Sequence, residues 1–271
     1  MIRFNRYPNG KSKCFTLSYD DGTLSDRRFI ETVNRYGVRA TFHLNSALMG
    51  RPDRIPAEEF SSLYKGHEIS LHTATHPTLT RIPSILALQE IMQDRAALEA
   101  ATGQIVRGMS YPYGAYNDMV ITALQSAGVA YCRTTFPTQG FGWPDNFLVW
   151  NPTCHHNAEG TERARAFMKS PQIGALCYIW GHSYEFDRQN NWDLLETLCE
   201  IVTTDAGDEW YQKADTVWLA TNIEIYTYIT AVRNLVVSVD GKIIENPSAV
   251  SVWVEVDGQP VEIPGGKAVR L

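Results

Sequence analysis

The chain has 271 residues, of which 44% are hydrophobic and 20% charged, with 24 basic and 30 acidic side chains for a net charge of −6. That length carries one to two domains and a full core. The composition excludes a disordered tail, a fibre or a disulfide scaffold. No polybasic run is present, so nucleic acid and anionic membranes are not expected partners. No apolar stretch approaches the ~20 residues of a membrane span, and the start, Met1 to Pro8, lacks the pattern of a secretory signal. Cys14, Cys132, Cys154, Cys177 and Cys199 form no CxxC pair and read as buried thiols. Together these features predict a cytoplasmic location.

In chain order, Lys13 to Ser18 reads as a strand and Ser25 to Tyr36 as a helix closed by Gly37. Strands follow at Val38 to Leu44 and Glu68 to Leu71, separated by a short helix over Ala57 to Lys65. A helix capped by Ser84 places Ile85, Leu88, Ile91, Met92 and Leu98 on one stripe and stops at Gly103. Val106–Tyr111 (strand), Asp118–Ala127 (helix) and Val129–Arg133 (strand) continue the alternation. Further strands are expected at Phe147–Asn151, Ala175–Trp180 and Thr216–Ala220, with helices near 160–169, 192–204 and 223–233. Repeated βα units imply parallel strands, and seven or eight of them suit a distorted (β/α)7–8 barrel. After Asn234 the pattern turns to alternation around two Asp-Gly turns, Asp240-Gly241 and Asp257-Gly258. The expected division is a barrel over 1–233 and an antiparallel β appendage over 234–271, packed on the barrel or joining two copies of the chain.

Four polar clusters fall where strands end. Asp20-Asp21-Gly22 follows the first strand. Alone it is better read as a solvated turn. In His72-Thr73-Ala74-Thr75-His76, spacing of four on a helical turn lets both imidazoles reach one ion. Tyr111-Pro112-Tyr113-Gly114 forms a tight turn whose N–H groups can face an oxyanion, or simply an aromatic turn. Trp180-Gly181-His182-Ser183 adds a histidine. Chemistry in parallel barrels sits at the C-terminal ends of strands, so four clusters at that rim point to one site.

In this order the motifs resemble the polysaccharide deacetylase family, carbohydrate esterase family 4. Ser18-Tyr19-Asp20-Asp21-Gly22 is similar to its Thr-Phe-Asp-Asp-Gly motif, and Ala40-Thr41-Phe42 and Gly66-His67-Glu68-Ile69 are also family-like. The resemblance runs from about Phe15 to Ser183. It implies Asp21, His72 and His76 as ligands of one divalent ion, zinc first, with cobalt, manganese or nickel as alternatives. It implies Asp20 as the base that deprotonates water, His182 as the acid for the leaving amine, and the Tyr113 N–H as an oxyanion donor. The implied substrate is an N-acetylated sugar or oligosaccharide. A cyclic ureide or imide hydrolase and an inactive carbohydrate-binding relative are the other readings.

The sequence departs from the family in two places. Ser110 stands where the family carries an arginine, with Arg107 the nearest replacement. The Asp-x-x-Asp-Trp motif is missing, and Trp143, His155 and His156 lie in that region, with Asp187 or Asp193 to orient His182. Trp143 and Trp180 are read as sugar-stacking or core residues, His155 and His156 as substrate or supporting groups or a polar loop, and His43 and His67 as structural.

Overall fold

The structure is a computed structural model describing residues 1–271. Strand β1 (Ile2–Arg3) is followed by β2 (Lys13–Asp20), α1 (Asp26–Arg35), β3 (Ala40–Leu44), α2 (Phe60–Leu63), β4 (Glu68–Leu71) and α3 (Ser84–Thr102). Then come β5 (Gly108–Ser110), α4 (Asp118–Ser126), β6 (Tyr131–Arg133), β7 (Cys154–His155), α5 (Gly160–Lys169) and β8 (Ala175–His182). The barrel ends with α6 (Tyr184–Gln189), α7 (Trp192–Thr203), β9 (Val217–Leu219) and α8 (Asn222–Arg233). Strands β10 (Val236–Val237), β11 (Ile243–Asn246), β12 (Val252–Val256), β13 (Gln259–Ile263) and β14 (Lys267–Arg270) complete the chain.

Eight strands form one parallel sheet in the order β6-β5-β4-β3-β2-β8-β7, with β9 on β2. Every residue of β2 is buried, as expected of a parallel strand covered on both faces. It pairs with β8 without interruption from Lys13↔Ala175 to Asp20↔His182, which brings the ends of these two strands level. Between the outer strands, β6 and β7, a connecting segment curls the sheet toward closure. Trp150 donates its N–H to Cys132 and forms a single parallel bridge to Arg133, and Thr153 N–H reaches the Tyr178 carbonyl at 2.8 Å. The fold is therefore a distorted (β/α)7–8 barrel, as the alternation of elements implies.

Where a strand was expected at 147–151, Phe147–Val149 forms a 3-10 turn. Asn146 caps it by accepting from Leu148 N–H at 2.9 Å, and Pro152 removes the donor that would extend a strand. In α3 the capping residue is Pro83, Ser84 is already helical, and Gly103 ends the helix at φ +67°. The buried stripe is Ala87, Ile91, Asp94 and Leu98, whereas Ile85 and Met92 are exposed. A small alanine and a charged aspartate on the inner face hide that stripe from a hydrophobicity reading.

The C-terminal strands form two antiparallel three-stranded sheets, β1-β12-β13 and β10-β11-β14. Ile2 and Arg3 pair with Val256 and Glu255, so the first residues belong to this unit rather than to the barrel. Arg6 closes a buried ion pair on Glu255 at 2.5 Å, and the Tyr228 hydroxyl of α8 accepts from Trp253 N–H at 3.0 Å. All five cysteines are free and buried. No helix is long and apolar enough to cross a membrane.

Candidate metal and catalytic site

The C-terminal ends of β2, β4, β5, β6 and β8 meet at one rim, and each contributes a side chain. Asp20 ends β2 and is buried. Asp21 turns the chain at φ +82°, tied back by its N–H to the His43 carbonyl at 2.9 Å. A non-glycine residue holds such a backbone only where its surroundings impose it. The turn separates two adjacent carboxylates, one facing Arg133 and the other facing the histidines.

Residues 72–76 do not form the helical turn expected from their spacing. They form a bend with Thr73 at φ +67° and His76 at φ +61°, which Thr73 Oγ1 stabilises by accepting from His76 N–H at 3.1 Å. The two Nε2 atoms nevertheless come within 3.1 Å of each other. Asp21 Oδ1 lies 3.9 Å from His72 Nε2 and 4.0 Å from His76 Nε2. These three atoms converge as donors to one ion must. The other face of His72 is fixed, because Nδ1 lies 2.9 Å from the Ser110 carbonyl and 2.7 Å from its hydroxyl, directing Nε2 at the site. Buried Asp94 accepts from His72 N–H at 2.9 Å and Ser46 N–H at 2.8 Å. Burial raises its carboxyl to about 7 against these bonds. Burial, then the neighbouring His72, lowers His76, favouring the neutral imidazole that ligation requires.

Asp20 is held by Arg133, whose Nη2 donates to Oδ2, and by Ser110 Oγ, which donates to Oδ1 at 3.2 Å. Burial alone raises this carboxyl. Arg133 and then His72 outweigh it, holding Asp20 well below the usual carboxylate range. Arg107, expected to supply this charge, is exposed before β5, at the opposite end of the strand, and lies over the Tyr226 ring at 5.9 Å. The arginine comes instead from the neighbouring strand, where Arg133 is the register partner of Ser110. Its sequence signal is a single cation closing an otherwise apolar strand, Val129-Ala-Tyr-Cys-Arg133.

His182 ends β8 level with Asp20, and Glu185 orients it. Glu185 Oε1 lies 3.4 Å from His182 Nδ1 and Oε2 accepts from His182 N–H at 3.1 Å. Burial opposes the charged imidazolium, but Glu185, Asp20 and Asp21 together raise His182 above its ordinary value. Asp187 is engaged elsewhere, accepting from Ser25 Oγ at 2.5 Å and Trp192 Nε1 at 2.9 Å. Asp193 is exposed. Glu185 was legible only as a carboxylate three residues beyond the histidine, where a helical turn returns it.

The Glu185 carboxylate also draws in His155 and His156, at 3.1 and 3.5 Å from Oε2. Burial and then His155 push His156 down to about 3. Trp180 carries the Arg133 guanidinium 4.2 Å above its ring and meets His155 edge-on at 4.7 Å. Trp143 is not at the rim. Its indole N–H donates to Tyr7 OH at 2.6 Å, and Tyr7 OH in turn donates to the Gly174 carbonyl just before β8. It is a packing residue at the end where the strands begin. Tyr113 sits at φ +59° in the Pro112–Gly114 turn, exposed, with its ring edge-on to His76 at 4.7 Å. His43 bonds Ser18 Oγ at 2.9 Å beneath Asp20, and His67 accepts from Ala40 N–H at 3.1 Å; both are structural.

The polysaccharide deacetylase family model matches residues 7–132. Peptidoglycan-N-acetylglucosamine deacetylase PgdA of Listeria monocytogenes is 30% identical over 123 residues, which cover 44% of this chain and 26% of that protein. Chitin deacetylase of a Pestalotiopsis species is 24% identical over 135 residues, covering 49% of this chain and 45% of the relative. The chain thus spans between a quarter and half the length of these curated relatives. A solved polysaccharide deacetylase-like structure from Mycobacterium smegmatis superposes with a TM-score of 0.62 at 17% identity, over 84% of this chain and 93% of that one. It shares the curled parallel barrel. Residues 7–132, the stretch matched by the polysaccharide deacetylase family model, carry both the Asp20-Asp21 turn and the His72/His76 pair, and over this stretch the chain resembles that family.

Proposed function

We propose that the protein is a metal-dependent hydrolase that removes acetyl groups, N-acetyl first, from a sugar or oligosaccharide. The observation that carries this reading is the convergence of Asp21, His72 and His76 beside an ionised Asp20 and a raised His182. The names of the relatives, which specify N-acetylated peptidoglycan and chitin, support the substrate class.

The residues fit a catalytic ion. Two imidazoles and one carboxylate leave positions open, and the backing of His72 by Ser110 fixes its tautomer. An ion held there supplies Lewis acidity toward water and the acetyl carbonyl. Asp20, kept anionic by Arg133, is placed to accept the proton of the attacking water. His182, poised by Glu185, is placed to give a proton to the departing nitrogen. The backbone N–H of Tyr113, in the turn whose ring meets His76 edge-on at 4.7 Å, is the donor assigned to the developing oxyanion. Water and amide are consumed, and acetate and a free amino sugar are released. Trp180 braces Arg133, so it acts on the base through that contact.

The test is acetate release from N-acetylglucosamine oligomers and peptidoglycan fragments by the metal-reloaded chain, beside Asp20→Asn. The expected result is turnover in the parent and, in Asp20→Asn, turnover reduced by at least ~100-fold with glycan affinity retained. Equal acetate release by the two proteins overturns the role of Asp20. Release from none of the acetylated glycans overturns the substrate reading.

A further inference from the structure

We infer that His155, His156 and Glu185 form a second divalent-cation site on the same rim, on the far side of His182 from Asp21, His72 and His76, for an ion of the zinc class. In an extended chain, neighbouring side chains point to opposite faces. Here the consecutive rings of His155 and His156 stack at 4.5 Å with 30° between their planes. Both Nε2 atoms turn to a single oxygen, Glu185 Oε2, at 3.1 and 3.5 Å. Ligands placed 2.0–2.1 Å from a tetrahedral ion lie about 3.3–3.4 Å apart, so the two spacings bracket what such an ion demands.

His156 carries the second, independent observation. Its side chain is fully buried, held in a slot between Tyr19 at 5.6 Å and Phe186 at 4.4 Å, nearly parallel to both rings. Neither of its ring nitrogens has a hydrogen-bond partner. Buried imidazoles are ordinarily satisfied, and an unpaired nitrogen aimed at a carboxylate and a second imidazole is the donor a metal takes. The fold also makes room for this ring: a Cβ on Gly181 would lie 1.9 Å from His156 Nδ1. His155 and Glu185 are each about one-fifth exposed, which leaves the site reachable from the rim. Two imidazoles and one carboxylate are the same donor chemistry as at Asp21, His72 and His76, so zinc or cobalt suits both. Glu185 retains Oε1 for His182, and the proposed ion uses only Oε2.

The experiment uses the full chain, stripped with chelator, reloaded with cobalt(II) or zinc(II), desalted and assayed for metal per chain. Cobalt d–d absorption reports the geometry. The parent is expected to hold two equivalents, His155→Ala one, His72→Ala/His76→Ala one, and the triple variant none. The band remaining in His72→Ala/His76→Ala must disappear on adding His155→Ala. His155 is partly exposed, and far-UV circular dichroism checks that its variant is folded. Equal metal content in the parent and His155→Ala overturns the site, as does its complete loss in His72→Ala/His76→Ala. One equivalent that depends on His155 alone supports this site and overturns the ligand set of the proposed hydrolase, so the two readings fail separately.

Discussion

Replacing Arg133 by methionine isolates the interaction on which the proposed base depends. Arg133 is 0% exposed and Asp20 3%. Without the guanidinium, the carboxylate keeps only the Ser110 hydroxyl at 3.2 Å and His72 Nε2 at 3.7 Å. Removing one partner of a buried ion pair costs about 3–5 kcal/mol. At ~2–4 °C per kcal/mol for a domain of this size, that is a fall of roughly 6–20 °C in Tm. The pH dependence gives the sharper signature. In the parent, the folded carboxyl lies below its unfolded value of ~3.9, so its contribution is present above pH ~4 and is lost only as pH falls through the folded value. In Arg133→Met, burial takes over and the folded value rises above the unfolded one. The deficit should then be smallest below pH ~4 and grow as pH rises through the new folded value. Urea denaturation of the chelated protein at a series of pH values measures both, with chelator preventing a cation from substituting for the arginine. The double variant Asp20→Asn/Arg133→Met should lie at least ~1 kcal/mol above the sum of the two single variants. A loss below 1 kcal/mol, or one that does not change with pH, would refute the ion pair as what holds Asp20.

Glu185→Gln removes the main group that raises His182, so the basic limb of the pH–rate profile should move to lower pH; an unmoved limb means Glu185 does not govern the acid. Asp26 is buried, accepts from Tyr64 OH at 2.7 Å and is raised by burial to about 7. A raised carboxyl stabilises below its unfolded value and loses that contribution as pH rises through the folded one, so Asp26→Asn should flatten the stability profile between pH ~4 and ~7, as read by thermal melts across that window. Asp94→Ala leaves two N–H groups without their acceptor, one of them on His72. It should cost about 1–3 kcal/mol per group and weaken metal retention at His72, measurable by calorimetric titration; unchanged affinity would separate Asp94 from the metal site. Gly181→Ala should cost about 1–3 kcal/mol by crowding His156, in chemical denaturation.

The sequence by itself determined the βα alternation and the strand-end positions of Asp20, Asp21, His72, His76 and His182, which the fold gathers at one rim, although the strand expected at 147–151 is a 3-10 turn. These were legible because strand ends, βα alternation and polar clusters are properties of contiguous residues. The bend at 72–76 shows the limit within one segment: spacing correctly pairs the histidines, but positive φ at Thr73 and His76, rather than a helix, joins them. Only the tertiary structure decided what supports those residues. Arg133 reaches Asp20 across 113 positions, through strand register. Asp94 reaches the His72 backbone from a helix face disguised by its own charge. Glu185 displaced Asp187 because a half-turn after β8 points it back, while Ser25 and Trp192 claim Asp187. Arg107 and Trp143 were near in sequence and lie at the wrong end, because side chains before and after a strand are separated by its whole length. Which end of a strand a residue occupies, and which strand stands beside it, are facts of pairing that no single segment carries.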